Sequence, residues 1–135
     1  MTDKVYGLLY RPRKIDQEIA RVNAKISALR RSLEASGTRA DTERVQTSPQ
    51  DRMSLVMAEI DELERKKEDL VWDRIEAIRM IERALDCLGD DGERTVLYMQ
   101  YVGRARLEDI ADKVGYSNRQ TYRIRKAALN HLDSL

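Results

Sequence analysis

From Ile15 onward the apolar residues fall at Ile15, Ile19, Val22, Ile26, Leu29 and Leu33, in alternating steps of four and three. That 3.5-residue period is the seam of a coiled coil, and it admits few folds, because the stripe is buried only when another helix lies along it. The spacing predicts a helix from about Pro12 to Glu34. Pro12 suits its first turn, where the missing N–H has no bond to lose, and Tyr10 is placed to fold back onto the apolar face.

A second helical pattern begins near Arg52 and continues through Met53, Val56, Ile60, Leu63, Leu70, Ala77, Ile81 and Leu88, with Lys67 and Arg74 in the seam. Between the two, "ASGTRADTERVQTSPQD", residues 35–51, carries Gly37, Pro49 and a polar excess and reads as a loop. A loop of that length lets the chain reverse, so the economical arrangement is an antiparallel hairpin burying both seams against each other. Asp61 with Arg65 and Glu62 with Lys66 stand one turn apart in the favoured acid-first order, each worth about 0.3 kcal/mol on an exposed face. A two-helix hairpin leaves much of its flanks exposed. The seam Ile15, Ile19, Val22, Ile26, Leu29, Leu33, Ile60, Leu63 and Leu70 is therefore expected to build a homodimer or higher homo-oligomer, with the basic seam residues helping to set register.

Composition agrees with an all-α chain. Charged residues make up 36%, aromatics 5% with no Phe, and there are only 6 Gly and 2 Pro, the profile of long solvated helices. The net charge of +1 excludes a uniformly basic nucleic-acid binder but leaves the distribution of charge open. One His, one Cys and no glycine-rich phosphate loop argue against an enzyme and call for no cofactor or metal. With Cys87 alone, no intrachain disulfide can form, which fits a reducing cytoplasm. The apolar run in "MTDKVYGLLYRPRK" is too short for a signal peptide, and no run of about 18 apolar residues offers a membrane span. A soluble, cytoplasmic chain without a membrane partner is expected. Cys87 is expected to be a small buried residue, Trp72 to make an interface or hairpin contact, and His131 to lie on a frayed, solvated helix end.

"LGDDGERT", residues 88–95, holds Gly89, two aspartates and Gly92, the chemistry of a turn between helices. The domain boundary falls here, with a hairpin and oligomerisation region over residues 1–88 and a second domain over residues 89–135. Three short helices follow: Glu93 to Val102, Leu107 to Val114, and Asn118 to about Leu132.

The last two helices have the makings of a helix-turn-helix, with Gly115 as the turn glycine. Leu107, Ile110 and Val114 supply apolar positions on the first helix, Ala111 the small residue at the crossing, and Ile124, Ala128 and Leu129 the positions facing back. Ser117 followed three residues later by Gln120 is a capping box, worth about 1 kcal/mol, so the second helix starts at Asn118. Between Ser117 and Leu132 stand four bases and no acid. A recognition helix needs such a face, because its N-terminal side chains enter the major groove and its flanks meet phosphates. Asn118, Arg119, Gln120, Tyr122 and Arg123 are the candidates for base contact, since Arg pairs bidentately with guanine and Asn or Gln with adenine. Arg104, Arg106, Ser117, Arg125 and Lys126 are the candidates for phosphate contact. The plain alternative is a three-helix core whose last helix happens to be basic. Tyr98 and Tyr116 fit core or turn packing better than base stacking, and Tyr122 fits either role.

"VLYMQYVGRARLEDIADKVGYSNRQTYRIRKAALNHL", residues 96–132, resembles the promoter-reading fourth region of bacterial sigma factors. With the long helices before it, the chain is similar to phage transcriptional regulators of late, packaging and lysis genes of the ArpU/RinA-like kind. The specific part is "EDIADKVGYSNRQTYRIRKAAL"; the hairpin matches only in layout. The resemblance implies a sigma region 4-like helix-turn-helix after an antiparallel, coiled-coil-like hairpin. It implies base reading by Asn118, Arg119 and Arg123 and a backbone contact by Tyr122. Gln100 departs from the usual Arg and Thr121 from the usual Val. The function implied is a sequence-specific regulator of late genes, bound to double-stranded DNA in the bacterial nucleoid, with RNA polymerase as a further partner by analogy. Two rivals share the features: a phage packaging adaptor like a small terminase subunit, and a sigma-like module that grips polymerase without reading DNA.

Overall fold

Pro12 does not start the first helix; it is buried inside it. The computed structural model describes residues 1–38 and 48–135. Its elements are α1 (Asp3–Thr38), α2 (Pro49–Asp86), α3 (Asp91–Leu97) running into a π-helical turn (Tyr98–Val102), α4 (Leu107–Val114) and α5 (Asn118–Asp133). No strand occurs among the described residues, so the fold is all-α as expected.

The seam begins ten residues earlier than its regular part announces, because Val5, Leu9, Pro12 and Ile15 continue the same stripe and all four are buried. An interior proline costs a helix about 3 kcal/mol. Burial of Val5 and Leu9, at about 1.5–3 kcal/mol each, is large enough to offset it. The second helix also starts earlier than expected. Ser48 accepts a hydrogen bond from the N–H of Asp51 at 3.1 Å, with Pro49 at the first helical position, so "SPQD" is a helix start rather than the tail of a loop. Of the expected loop, residues 35–38 and 49–51 are helical, and residues 39–47 lie outside the described residues.

The chain divides into two compact units, one of residues 1–14 and 74–135, the other of residues 15–73. In the second unit Ile15, Val22 and Ile26 on α1 and Ile60 and Leu70 on α2 are buried, while Ile19, Leu29, Leu33 and Leu63 are half-buried. Arg30 reaches Glu64 across the pair at 3.1 Å, an exposed bridge of the kind that contributes at most about 1 kcal/mol. Lys67 is half-buried in the seam, and Met53, expected there, is exposed. Trp72 is 68% exposed, so it fills no hairpin contact.

The first unit has one core, made of Val5, Leu9, Ile81, Leu85, Leu88, Leu97, Tyr101, Ala128, Leu129 and Leu132. The boundary expected at residue 88 cuts through this cluster. Helices α3 to α5 are too short to bury their own apolar faces, and the unit draws on the start of α1 and the end of α2 to do so. Asp90 caps α3 by accepting from the N–H of Glu93 at 3.0 Å, which is the turn the aspartate pair suggested. Arg94 ties this turn down through the Leu88 carbonyl and the Asp91 carboxylate. Three further expectations change. Cys87 is exposed rather than buried, His131 sets Nδ1 2.8 Å from the buried carboxylate of Glu93 instead of being free in solvent, and Tyr98 is 41% exposed. No helix among the described residues is long and apolar enough to cross a membrane.

Candidate nucleic-acid interface

Helix α4 ends at Gly115, whose φ of 77° and ψ of 24° are left-handed. The N–H groups of Gly115 and Tyr116 both return to the Ala111 carbonyl at 3.0 Å, closing the helix and turning the chain. Two residues later Ser117 adopts an extended backbone and accepts from the N–H of Gln120 at 3.1 Å, so α5 starts at Asn118 as the capping box requires. Ile110 and Ala111 on α4 and Ala128 and Leu129 on α5 are buried, the last two within the core cluster that holds Leu97 and Tyr101, and Leu107, Val114 and Ile124 are half-buried. Thr121 is fully buried too. Its hydroxyl donates to the Ser117 carbonyl at 3.0 Å, which satisfies the polar atom without a partner from another helix.

That packing decides which side chains face solvent. Asn118, Arg119, Gln120, Tyr122, Arg123 and Lys126 are all exposed on α5, and Tyr122 shows 52% of its surface. Arg119, Arg123 and Lys126 thus line a stripe with no carboxylate of its own helix before Asp133. Two of the three acids of α4, Glu108 and Asp109, stand in its first turn, where the helix dipole favours them, and the third, Asp112, is exposed farther along it. Ser117 is exposed but its oxygen is engaged as the cap. Arg104 and Arg106 are exposed on the loop that enters α4.

Arg125 is placed differently from the other expected phosphate contacts. It is half-buried, its Nε donates to Gln100 at 3.0 Å and its Nη2 to the Tyr101 hydroxyl at 3.3 Å. The guanidinium is spent on fastening α5 to the π-helical turn. Gln100 is the acceptor for this arginine. Burial pushes the Tyr101 hydroxyl above its ordinary pKa, and the hydrogen bond and charge of Arg125 pull it partly back. Tyr10 meets Tyr101 edge-on at 5.4 Å and stacks on Tyr6 at 4.4 Å. None of these ring contacts was visible in the spacing of the tyrosines.

The turn itself carries the one non-glycine left-handed residue among those described, Arg104 with φ of 56°. The N–H of Gly103 returns to the Tyr98 carbonyl and that of Ala105 to the Met99 carbonyl, both at 3.0 Å, so the π-helical turn is capped by the backbone reversal at Arg104.

Residues 38–133 match the model of a family described as protein of unknown function (DUF1492). No curated protein and no solved structure matches the chain.

Proposed function

Since the chain belongs to this family of unknown function, its activity has to be read from its own residues, and we propose that it is a sequence-specific DNA-binding regulator of transcription. The observation that carries the reading is the exposed, acid-free stripe on α5, which starts at a capped N-terminus behind a left-handed glycine turn. Asn118, Arg119, Gln120, Tyr122 and Arg123 are the base-contacting set, and Arg106, Arg104 and Lys126 contact phosphates on either side. Arg125 is left out of that set because its donors serve Gln100 and Tyr101. Residues 15–73 supply the assembly surface, supported by exposed Met53, Leu55, Met57, Val71 and Trp72. Two heads on one assembly bind repeated half-sites more tightly than one head alone. The likeness to regulators of phage late genes, and contact with RNA polymerase, are the finer part of the same proposal.

Arg119→Ala and Arg123→Ala are each expected to cost about 1–3 kcal/mol on a selected site and less on random duplex. Measured across a salt series, binding to either DNA should fall with a log–log slope of about −0.9 per phosphate neutralised. Equal losses on both duplexes would refute base readout by that residue. A salt-independent interaction would point to the protein-binding module instead, and a closed ring of many subunits in a mass measurement to the packaging adaptor.

A further inference from the structure

A groove of about 380 Å³ lies in the first unit, between the end of α2 and the stretch that runs from α3 into the π-helical turn. Its apolar lining is Leu85, which is buried, Met99, half-buried, and Tyr98, 41% exposed. Glu82 and Asp86, both exposed, supply its negative charge. Neither carboxylate makes an ion pair or a hydrogen bond among the described residues. Arg79 and Arg83, three positions before each acid on α2, form no ion pair with them. Arg94, the cation in the lining, is engaged by the Leu88 carbonyl and the Asp91 carboxylate. Like charges one helical turn apart repel, so the pair on α2 is open to an opposite charge. A nucleic acid is excluded as the occupant, because its phosphates would meet two carboxylates.

The complement of this groove is on the same chain. Glu82, Leu85 and Asp86 stand at positions i, i+3 and i+4 of α2, and Arg119, Tyr122 and Arg123 stand at i, i+3 and i+4 of α5. One triplet is acid, apolar, acid; the other is base, aromatic, base. Residues at these spacings share one face of a helix, so the two triplets present the same pattern with opposite charge. Arg119 and Arg123 are exposed and, like the two acids, make no ion pair among the described residues. Tyr122 holds 52% of its surface in solvent. Within one molecule the two faces therefore do not meet, and a second copy has to bring them together.

We propose that this groove is a docking site for α5 of a second copy of the chain, with Arg119 and Arg123 paired to Glu82 and Asp86 and the Tyr122 ring laid on Leu85, Tyr98 and Met99. Guanidinium forks pair bidentately with carboxylates, and the ring loses apolar surface to water on docking. Exposed pairs are weak, and a groove of this size falls short of the area of a stable dimer, so the contact is transient. Its consequence rests on the reading of α5 as the DNA-contacting helix: the docked state covers the stripe that meets bases, and duplex and groove compete for it. The docking itself needs only the charges and the groove.

Cys87, the single cysteine, is exposed one position beyond Asp86 and carries a nitroxide label for the test. Labelled full-length chain without nitrogen-15 is mixed with unlabelled chain that contains it, so any line broadening is between copies. Broadening is expected at residues 119–126, and it should fade as salt rises. Glu82→Lys with Asp86→Lys in the labelled chain should weaken the contact by about tenfold, since each pair turns from attraction to repulsion. Arg119→Glu with Arg123→Glu in the observed chain should do the same, and mixing the two reversed chains should restore it. Should the lysine pair lose helicity, Glu82→Gln with Asp86→Asn removes the charges alone, and the same loss of broadening is expected. Absence of broadening on α5 overturns the docking, as does broadening that the reversed groove leaves intact, which would come from assembly elsewhere in the chain. Saturating duplex should erase the broadening; persistence at saturation overturns the competition. A chain that binds no duplex fails the reading of α5 as a DNA contact, and the DNA-free mixtures still decide the docking.

Discussion

Arg125 Nε donates to Gln100 Oε1 at 3.0 Å, joining the middle of α5 to the π-helical turn 25 positions earlier in the chain. The contact is half-buried and charge-assisted, and its second arm ends on the Tyr101 hydroxyl at 3.3 Å. Such a bond is worth about 1.5–3 kcal/mol, against about 1 kcal/mol for a neutral pair. Arg125→Ala is therefore expected to destabilise the fold by about 2 kcal/mol in chemical denaturation. A double-mutant cycle with Gln100→Ala should show coupling of about 1 kcal/mol. If Arg125→Ala left stability unchanged and only flattened the salt dependence of DNA binding, the residue would be a phosphate contact after all.

Thr121 is fully buried, yet its substitution should be mild. The Ser117 carbonyl that accepts from its hydroxyl also accepts from its own backbone N–H at 3.0 Å, so Thr121→Val leaves no buried group unsatisfied. The two side chains have nearly the same volume. Thr121→Val should lie within about 0.5 kcal/mol of the wild type, while Thr121→Ala, which opens a cavity, should cost about 1–2 kcal/mol. A thermal melt of the two variants distinguishes packing from hydrogen bonding at this position. A larger loss in the valine variant would mean that the hydroxyl has a second role.

The parts of the fold that were legible in the sequence are those governed by local rules. Gly115 and Ser117 act on neighbours within four residues and were placed correctly by turn and cap chemistry, while the aspartate pair marked the turn before α3 but not Asp90 as its cap, so that helix starts at Asp91 and not at Glu93. The seam from Ile15 to Leu70 was legible because its period is a property of the sequence itself. What escaped depends on contacts between distant segments. Val5 and Leu9 were missed because Pro12 is a helix-start signal on local grounds, and only their burial against Ile81, Leu85 and Leu97 keeps the helix running through it. The division into units failed to show for the same reason, since nothing local says that residues 1–14 belong with residues 74–135. Among the candidate site residues, exposure of Asn118, Arg119, Tyr122 and Arg123 followed from helical spacing. The capture of Arg125 by Gln100 did not, because the two share no local pattern.

Burial within residues 15–73 is graded, and stability should follow the grade. Ile26 is 4% exposed, whereas Leu29 and Leu33 on the same stripe are half-buried. Placing a carboxylate at a fully buried position adds the cost of desolvating a charge to the loss of about 1.5–3 kcal/mol of apolar burial. Ile26→Glu should then reduce helicity sharply, and Leu33→Glu much less. In sedimentation, the order should reverse if Leu29 and Leu33 face a second copy of the chain: Leu33→Glu would then lower the mass while leaving helicity in place. Equal effects of Ile26→Glu and Leu33→Glu on both readings would exclude this division between hairpin and assembly contacts.

Gly103 and Arg104 make the sharpest pair, because adjacent exchanges should differ in size. A Cβ on Gly103 would sit 2.8 Å from the backbone oxygen of Met99, closer than such atoms approach, and the carbonyl cannot yield without disturbing the N–H that Ala105 donates to it. Gly103→Ala is expected to cost about 1–3 kcal/mol, the range of forced overpacking. Arg104, by contrast, holds a φ of 56° that glycine adopts without a steric penalty. Relief of about 1–2 kcal/mol of left-handed strain is offset by roughly 0.5–1 kcal/mol of extra chain entropy in the unfolded glycine variant. Arg104→Gly also gives up the interaction that Arg104 makes, so its cost should be clearly smaller than that of Gly103→Ala rather than absent. Unfolding curves for the two variants give the two magnitudes directly. Equal destabilisation by the two exchanges would mean that the interaction of Arg104 outweighs the strain of its backbone.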